Sequence, residues 1–195
     1  MAIVYPLNTP TSIGIESIEL RAVNSVAVSQ SPFTFKQQVI SHGGQKWEAS
    51  VTIPPTHRDK SAQWKAMLTA LKGQTGTFLL GDPDYATPQG SVTSCALTGS
   101  IGDESVSVVM TGSLLAGDYI QLGSGSAAKL HQVLVDLTGS GTLEIWPALR
   151  SNYISEVAIF NSPKGVFRLS TNTTAWSINN TSVYGISFEA VEVVT

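Results

Sequence analysis

Alternating apolar and polar residues dominate this chain and predict β-strands along most of its length. In residues 47–53 every odd position is apolar and every even position is polar. Because successive side chains of a strand point to opposite faces, this pattern is typical of a strand with one buried face. Residues 15–30 and 183–194 repeat the alternation over longer stretches. The long final strand is therefore expected to be tied into a sheet.

One stretch departs from the alternation and predicts the single helix, over residues 59–72. Its apolar positions recur at i, i+3, i+4 and i+7, and they are Trp64, Met67, Leu68 and Leu71. Asp59 is the expected N-cap, and Gly73 is the expected left-handed residue after the helix. A strand follows at residues 77–80. One helix among many strands is expected to cover a face or an open end of a β-sandwich, with Leu68 and Leu71 against the sheet.

A short strand and a turn are predicted between the first long strand and residue 47. Pro32 ends the preceding run, and Phe33 and Phe35 share one face of a predicted strand over residues 33–40. The Ser-His-Gly-Gly sequence at residues 41–44 is typical of a hairpin turn. The strand of residues 47–53 would then follow that turn.

The middle of the chain has a different pattern, with short strands separated by turns rich in Gly and Ser. The predicted strands are residues 91–97, 105–110, 118–122, 130–137, 143–146 and, more weakly, 157–160. Short strands at this spacing indicate a small barrel or sandwich. We therefore predict a discontinuous β-sandwich body, residues 1–89 and 164–195, with the helix in its first part. Residues 91–163 would be a small β-barrel or sandwich domain inserted at a surface turn.

Composition restricts the classes of partner. Charged residues make up 13% of the chain, about half the usual share, and 42% are hydrophobic. So few charges suit a chain that covers its surface in an assembly, and equally a β-protein whose surface is polar but uncharged. The net charge of −3 and the lack of a basic run argue against nucleic acid as the main partner.

The sequence also predicts neither a disulfide bond nor a membrane-spanning segment. Cys95 is the only cysteine, so no intrachain disulfide or thiolate metal cage can form, and we expect a buried structural thiol. No apolar run approaches the ~20 residues of a membrane span. The first residues lack the charged and apolar regions of a signal peptide. We therefore expect synthesis in a cytoplasm and no membrane partner.

The sequence predicts no catalytic, cofactor or metal site, and hence no enzyme. His42, His57 and His131 have no acidic or histidine partner at ligand spacing. Asp82 and Asp84 stand one residue apart, as in a Ca²⁺ loop, but the glycine and the distal glutamate of such a loop do not follow. These two aspartates are better explained as turn residues around Pro83.

The four tryptophans are the remaining candidates for ligand binding. Trp47 and Trp64 fall on predicted core faces, so packing explains them. Trp146 and Trp176 are less constrained by the pattern. We therefore keep Trp146 and Trp176 as candidate glycan-binding or interface aromatics.

Several segments resemble tail proteins of long-tailed bacteriophages. They are residues 64–73 (WKAMLTALKG), 76–83 (GTFLLGDP), 116–123 (AGDYIQLG), 129–134 (KLHQVL), 147–150 (PALR), 165–169 (GVFRL) and 185–192 (GISFEAVE). The similarity extends over residues 30–192, and within this group the chain most resembles the distal tail proteins.

That resemblance implies a structural role at the tip of the virion tail. Distal tail proteins form a ring, usually a hexamer, at the end of the tail tube. A belt domain, a β-sandwich with one helix, makes the ring, and a second β-domain projects from it. The ring joins the tail tube protein to the baseplate hub and other tail-tip proteins, and DNA passes through its lumen without specific binding. Some relatives bind host sugars, but the insert here is small and has no obvious carbohydrate motif.

Two alternatives remain open at the level of sequence. The chain is also consistent with a carbohydrate-binding tail module whose site surrounds Trp146. A tail tube or tube-terminator subunit is the other alternative, because those proteins also form rings from a sheet and a helix.

Overall fold

The chain folds mainly into β-sheets. The structure is a computed structural model and describes residues 2–180 and 182–194. Strands contain 50% of the residues and helices 8%, and the sheets curl into half-barrels. This confirms the predicted mainly β sandwich or barrel fold with one α-helix. In chain order the elements are β1 (Leu7–Asn8), β2 (Ser17–Gln30), β3 (Gln37–His57), α1 (Arg58–Ala70), β4 (Phe78–Leu80), β5 (Ser94–Gly99), β6 (Ser105–Thr111), β7 (Ser113–Leu114), β8 (Tyr119–Leu122), β9 (Lys129–Val133), β10 (Leu137–Thr138), β11 (Gly141–Trp146), β12 (Tyr153–Val157), β13 (Gly165–Leu169), β14 (Trp176–Ile178) and β15 (Val183–Glu192).

A seven-stranded sheet is built from both ends of the chain. Its order is β1-β4-β13-β15-β3-β2, and β14 pairs with the first half of β15. The predicted alternation of residues 47–53 is confirmed, because the odd positions are buried in the core below this sheet. Helix α1 packs on β3 and β15, and Leu68 and Leu71 are buried there as predicted.

The start of the helix differs from the prediction. His57, the last residue of β3, is the N-cap residue, and no side chain caps the helix. The predicted cap, Asp59, lies instead in the first turn, where a negative charge is favourable near the positive end of the helix dipole. The strand therefore continues into the helix without a loop. At the other end Gly73 is left-handed, as predicted, with φ +67°.

The predicted turn at residues 41–44 is wrong, and the strand predicted at residues 33–40 begins only at Gln37. Strands β2 and β3 form one long hairpin whose turn lies at residues 31–36, closed by a hydrogen bond from the Ser31 N–H to the Lys36 carbonyl (3.0 Å). The two glycines belong to a bulge, because Ser25 alone stands opposite residues 42–44. A bulge and a turn both use a glycine with positive φ, so the local sequence did not distinguish them.

The second large sheet has six strands and comes from the middle of the chain. Its order is β12-β5-β6-β11-β9-β8, and β7 pairs separately with β10. The predicted strand 130–137 is divided, because β9 ends at Val133 and β10 begins at Leu137. The weak strand predicted at 157–160 lies earlier, at Tyr153–Val157. We call residues 91–163 the insert and the rest the body; their separation into two domains remains a prediction.

Candidate interaction surfaces

The insert meets the body around two tryptophans. The Trp47 Nε1–H of β3 donates to the carbonyl of Leu130 in β9 (3.0 Å). The Trp146 ring of β11 stands edge-on to Trp47, with 4.5 Å between centroids and 89° between planes. The Trp146 Nε1–H also donates to Asn24 Oδ1 of β2 (2.9 Å). Trp146, a predicted ligand aromatic, therefore contributes to the packing between the two sheets.

A glutamate and an arginine extend this contact. Glu192 of β15 is buried, and its Oε2 accepts a hydrogen bond from the Trp47 backbone N–H (3.0 Å) and lies 3.7 Å from the Arg150 guanidinium. Arg150, in the insert, also donates to the carbonyl of Gln45 in β3. Burial raises the pKa of Glu192, and the nearby cations and the Trp47 N–H oppose that shift. An ion pair therefore connects insert and body away from bulk water.

A lysine and a histidine lie beside the pair. Lys129 Nζ is buried and donates to the carbonyl of Val193 (2.7 Å), and burial lowers its pKa. His131 is fully buried, with Nδ1 2.7 Å from the carbonyl of Pro147. Because a carbonyl only accepts, we assign the proton to Nδ1. Burial lowers the pKa of His131 to about 4, so the ring is neutral at pH 7. Both groups are buried: the Lys129 contact joins the insert to the body, and the His131 contact lies within the insert.

Asp118 fixes the point where the chain enters the insert. Its fully buried Oδ1 accepts hydrogen bonds from the Tyr85 hydroxyl (3.1 Å) and the Gln89 N–H (2.7 Å). Its Oδ2 accepts from the N–H groups of Gly90 (3.2 Å) and Leu115 (2.9 Å). Four donors compensate the carboxylate for its lost hydration. We use the name junction for the polar contacts of Glu192, Arg150, Lys129, His131 and Asp118, together with Trp47 and Trp146.

The far end of the β2–β3 hairpin projects from the rest of the described structure. We call residues 25–44 the ribbon; all of them except Ser31 are exposed. Its hydrogen bonds within the described residues are internal. Phe33, at its tip, is 92% exposed. The other exposed large apolar side chains of the ribbon are Val26, Val28, Phe35, Val39 and Ile40.

The base of the ribbon is held by the insert. Gln45 Oε1 accepts a hydrogen bond from the Ala148 N–H (2.7 Å), and its amide Nε2 donates to Glu104. On the other strand Asn24 accepts the Trp146 hydrogen bond. Asn24 and Gln45, the two residues that flank the ribbon, are therefore fixed, whereas the hydrogen bonds of the ribbon itself are internal in the described chain.

A second exposed apolar surface lies on the outer face of the insert. Val109, Ala96 and Val157 stand side by side across β6, β5 and β12. They border an open groove of about 420 Å³, which also includes Cys95 and Phe160. The Cys95 thiol is buried, as predicted, and burial raises its pKa to about 11. We call this groove the insert groove.

Trp176 lies elsewhere, so the structure does not bring the two candidate aromatics together. Trp176 is on β14, is 40% exposed, and borders a groove of about 430 Å³ with Glu16 and Ile186. Trp146 does not border that groove. Trp176 keeps an accessible ring, whereas Trp146 is largely committed to internal contacts.

The other sequence candidates occupy ordinary positions. His42 and His57 are exposed, and Asp82 accepts a hydrogen bond from the Asp84 N–H (3.0 Å), the turn that was predicted. Within residues 2–180 and 182–194, no group of three or more His, Cys, Asp or Glu side chains is placed to hold a metal ion. In the same part of the chain, no helix has the length and apolar character to span a membrane.

Comparison with known proteins assigns no family to this chain. No protein-family model matches the chain, and no curated protein matches it. The similarity to distal tail proteins therefore remains an interpretation of the sequence.

Proposed function

We propose that this chain is a structural subunit of a bacteriophage tail tip, which forms a ring at the distal end of the tail tube. The observation that carries the proposal is the exposed apolar ribbon. A two-stranded ribbon is marginally stable in water on its own, and exposed apolar patches mark interaction sites. A chain with such a surface needs neighbours, and a closed ring of identical subunits supplies them.

The junction supports the role of an adaptor. An adaptor must hold its two parts at a fixed angle, because one part joins the ring and the other faces a different protein. Buried ionic and polar contacts are poor at adding net stability but have strict geometric demands. In this proposal the body, which includes the ribbon, contacts a neighbouring subunit and the tail tube protein, and the surface of the insert that the neighbour leaves uncovered faces the baseplate hub and receptor-binding proteins.

Charge is consistent with a channel that DNA passes through. A net charge of −3 without a basic run gives the ring no surface that would hold phosphates. The charged groups of the junction are buried in fixed contacts, so they are unsuited to turnover of a substrate.

Electron microscopy of the purified full chain tests the proposal. Class averages are expected to show rings of a single size, six subunits being the expectation from the resemblance, with a central opening. Particles of monomer size at every concentration, with and without a purified tail tube, would contradict it. In virions that carry the chain, a gold label on it is expected at the tail tip. Labelling along the whole tail would favour a tube subunit, and labelling next to the head would favour a terminator.

A further inference from the structure

The chain carries two separate apolar surfaces that do not cover each other. The ribbon presents six large apolar side chains and hydrogen-bonds only to itself within the described residues. The insert groove presents Val109 and Val157, each 71% exposed, beside Ala96. No residue of the ribbon lines the groove. The insert holds the base of the ribbon at Asn24 and Gln45, while the ribbon itself makes no hydrogen bond to the insert among the described residues.

The ribbon presents apolar surface for one half of an interface. Phe33 and Phe35 together present about 300 Å² of apolar surface. The exposed aliphatic side chains lie on both faces of the ribbon, because Val28 pairs with Val39 on one face and Ile40 lies on the other. One face with the two phenylalanines and an open strand edge therefore supplies part of the roughly 800 Å² that a standard interface buries on each partner.

Charge favours the insert of another copy as the partner. Lys36 is the only side chain between residues 25 and 44 that is charged at neutral pH, so the ribbon has a net charge of +1. The insert has six acidic and two basic residues, a net charge of −4. Lys129, Arg150 and one of the acids, Asp118, are withdrawn into the junction. This leaves five acidic side chains and no base elsewhere on the insert, while the groove itself is lined by uncharged residues. The outer surface of the insert is therefore acidic, which attracts the ribbon and disfavours contact between two inserts.

We propose that the ribbon of one copy docks on the insert groove of the next copy. The contact joins two different surfaces, so it is heterologous, and repeating it generates a ring or a filament rather than a closed dimer. This inference deepens the proposed function, on which it rests, because it names the contact through which the subunits associate.

Mixing two complementary variants tests this contact. The ribbon variant carries Phe33→Ser and Phe35→Ser, and the groove variant carries Val109→Ser and Val157→Ser. Each is expected to be monomeric by native mass spectrometry at a concentration at which the wild type is assembled, because each lacks one half of the contact. In a mixture, the intact ribbon of the groove variant can dock on the intact groove of the ribbon variant. The two surfaces left free in that pair are the mutated ribbon and the mutated groove, so no further copy can be added. The mixture is therefore expected to give a 1:1 dimer of about twice 20.6 kDa and nothing larger.

The outcomes separate this inference from the proposed function. The control Ile101→Ser removes an equally exposed side chain of the insert outside the groove and is expected to assemble like the wild type. Assembly of the ribbon variant or the groove variant alone, beside an assembled wild type, overturns the inference and leaves the ring. Variants that stay monomeric when mixed also overturn it, since the mixture then contains an intact ribbon and an intact groove that do not pair. A wild type that never assembles overturns both.

A photocrosslink provides a second readout that does not depend on the serine variants. We replace Phe35 by 4-benzoylphenylalanine and mix ¹⁵N-labelled with unlabelled copies. The expected product joins the ribbon peptide of one isotope to the Val109 or Val157 peptide of the other. Crosslinks confined to a single copy, or to peptides of the body, would overturn the proposed contact.

Discussion

The junction and the ribbon differ in which kind of side chain is buried and which is exposed. The junction buries charged and polar groups where two sheets meet, whereas the ribbon exposes large apolar groups to solvent. Each arrangement is costly for a molecule that works alone. The junction residues make most of their polar contacts within the chain, although His131 Nε2, Arg150 Nε and Glu192 Oε1 have no hydrogen-bond partner among the described residues. The ribbon residues hydrogen-bond only to one another among the described residues, and their large apolar side chains remain exposed.

This difference indicates which parts of the molecule fold for stability and which fold for association. Substitutions in the junction or the core should destabilise the subunit itself. Substitutions on the ribbon should leave the subunit's stability unchanged and act on assembly. Single substitutions can separate these two effects. Stability is then measured under conditions in which the wild type is dissociated.

Asp118→Ala is expected to have the largest effect on stability. It leaves four donors, including the Tyr85 hydroxyl, without their buried acceptor, so we expect the free energy of unfolding to fall by about 3–5 kcal/mol. Urea unfolding measures it. Asp118→Asn, the matched control, keeps two acceptor lone pairs and should lose less. If Asp118→Ala costs under ~1 kcal/mol, the junction does not fix the entry to the insert.

Leu68→Ala measures how much a buried apolar side chain contributes to the free energy of unfolding, for comparison with the exposed apolar side chains of the ribbon. Leu68 is fully enclosed between α1 and the sheet, so its truncation leaves a cavity and is expected to cost about 2–5 kcal/mol. Thermal and urea unfolding provide the value. A loss below ~0.5 kcal/mol would mean that the helix does not pack on the sheet through this face.

His131 gives the junction a pH dependence with a defined sign. Its pKa falls from an ordinary 6.5 to about 4 on folding, so the unfolded chain binds more protons between those values. The stability it contributes is complete above pH 6.5 and is lost as the pH falls towards 4. From pH 7 to pH 5 the loss is about 2 kcal/mol.

The comparison with His131→Asn isolates that loss. Asparagine retains an N–H donor for the Pro147 carbonyl but does not titrate. The difference between the two proteins cancels the opposing contribution of Glu192, whose raised pKa favours folding at low pH. The wild type should lose about 2 kcal/mol more than His131→Asn between pH 7 and pH 5. Equal losses in the two proteins would show that His131 is solvated or charged in the folded state.

Phe35→Ser is expected to have the smallest effect on the dissociated subunit. The ring is 71% exposed and belongs to neither core, so the free energy of unfolding should change by less than ~0.5 kcal/mol. Differential unfolding of dilute protein checks this value. A cost comparable to that of Leu68→Ala would place the ribbon inside the fold and remove the contrast between the two regions.

The sequence predicted the features that depend on local periodicity. The odd positions of residues 47–53 identified a half-buried strand, and the spacing of Leu68 and Leu71 identified the helix face. The ribbon was missed because the glycines near residue 43 are used for a bulge, while the real turn lies at residues 31–36. Phe33 and Phe35 were therefore assigned to a strand instead of an exposed tip.

The junction was beyond the reach of local patterns. Lys129 and Arg150 lie far from Glu192 in sequence, and they meet only because β9, β15 and the end of the insert converge. His131 and Asp118 both fell in predicted strands, at residues 130–137 and 118–122, with no sign that either side chain would be buried in a polar contact. The only sequence signal was a scarcity of charge, which makes each basic or acidic residue within a predicted strand a candidate for a buried contact.

The most direct test of the account is hydrogen–deuterium exchange of the ribbon in the assembled and the dissociated wild-type protein. If the ribbon is a subunit contact, the amides of residues 25–44 should exchange rapidly in the dissociated chain and at least tenfold more slowly after assembly. The amides of α1 should change little. Equal exchange of the ribbon in both states would show that another copy does not cover it, and would contradict the account.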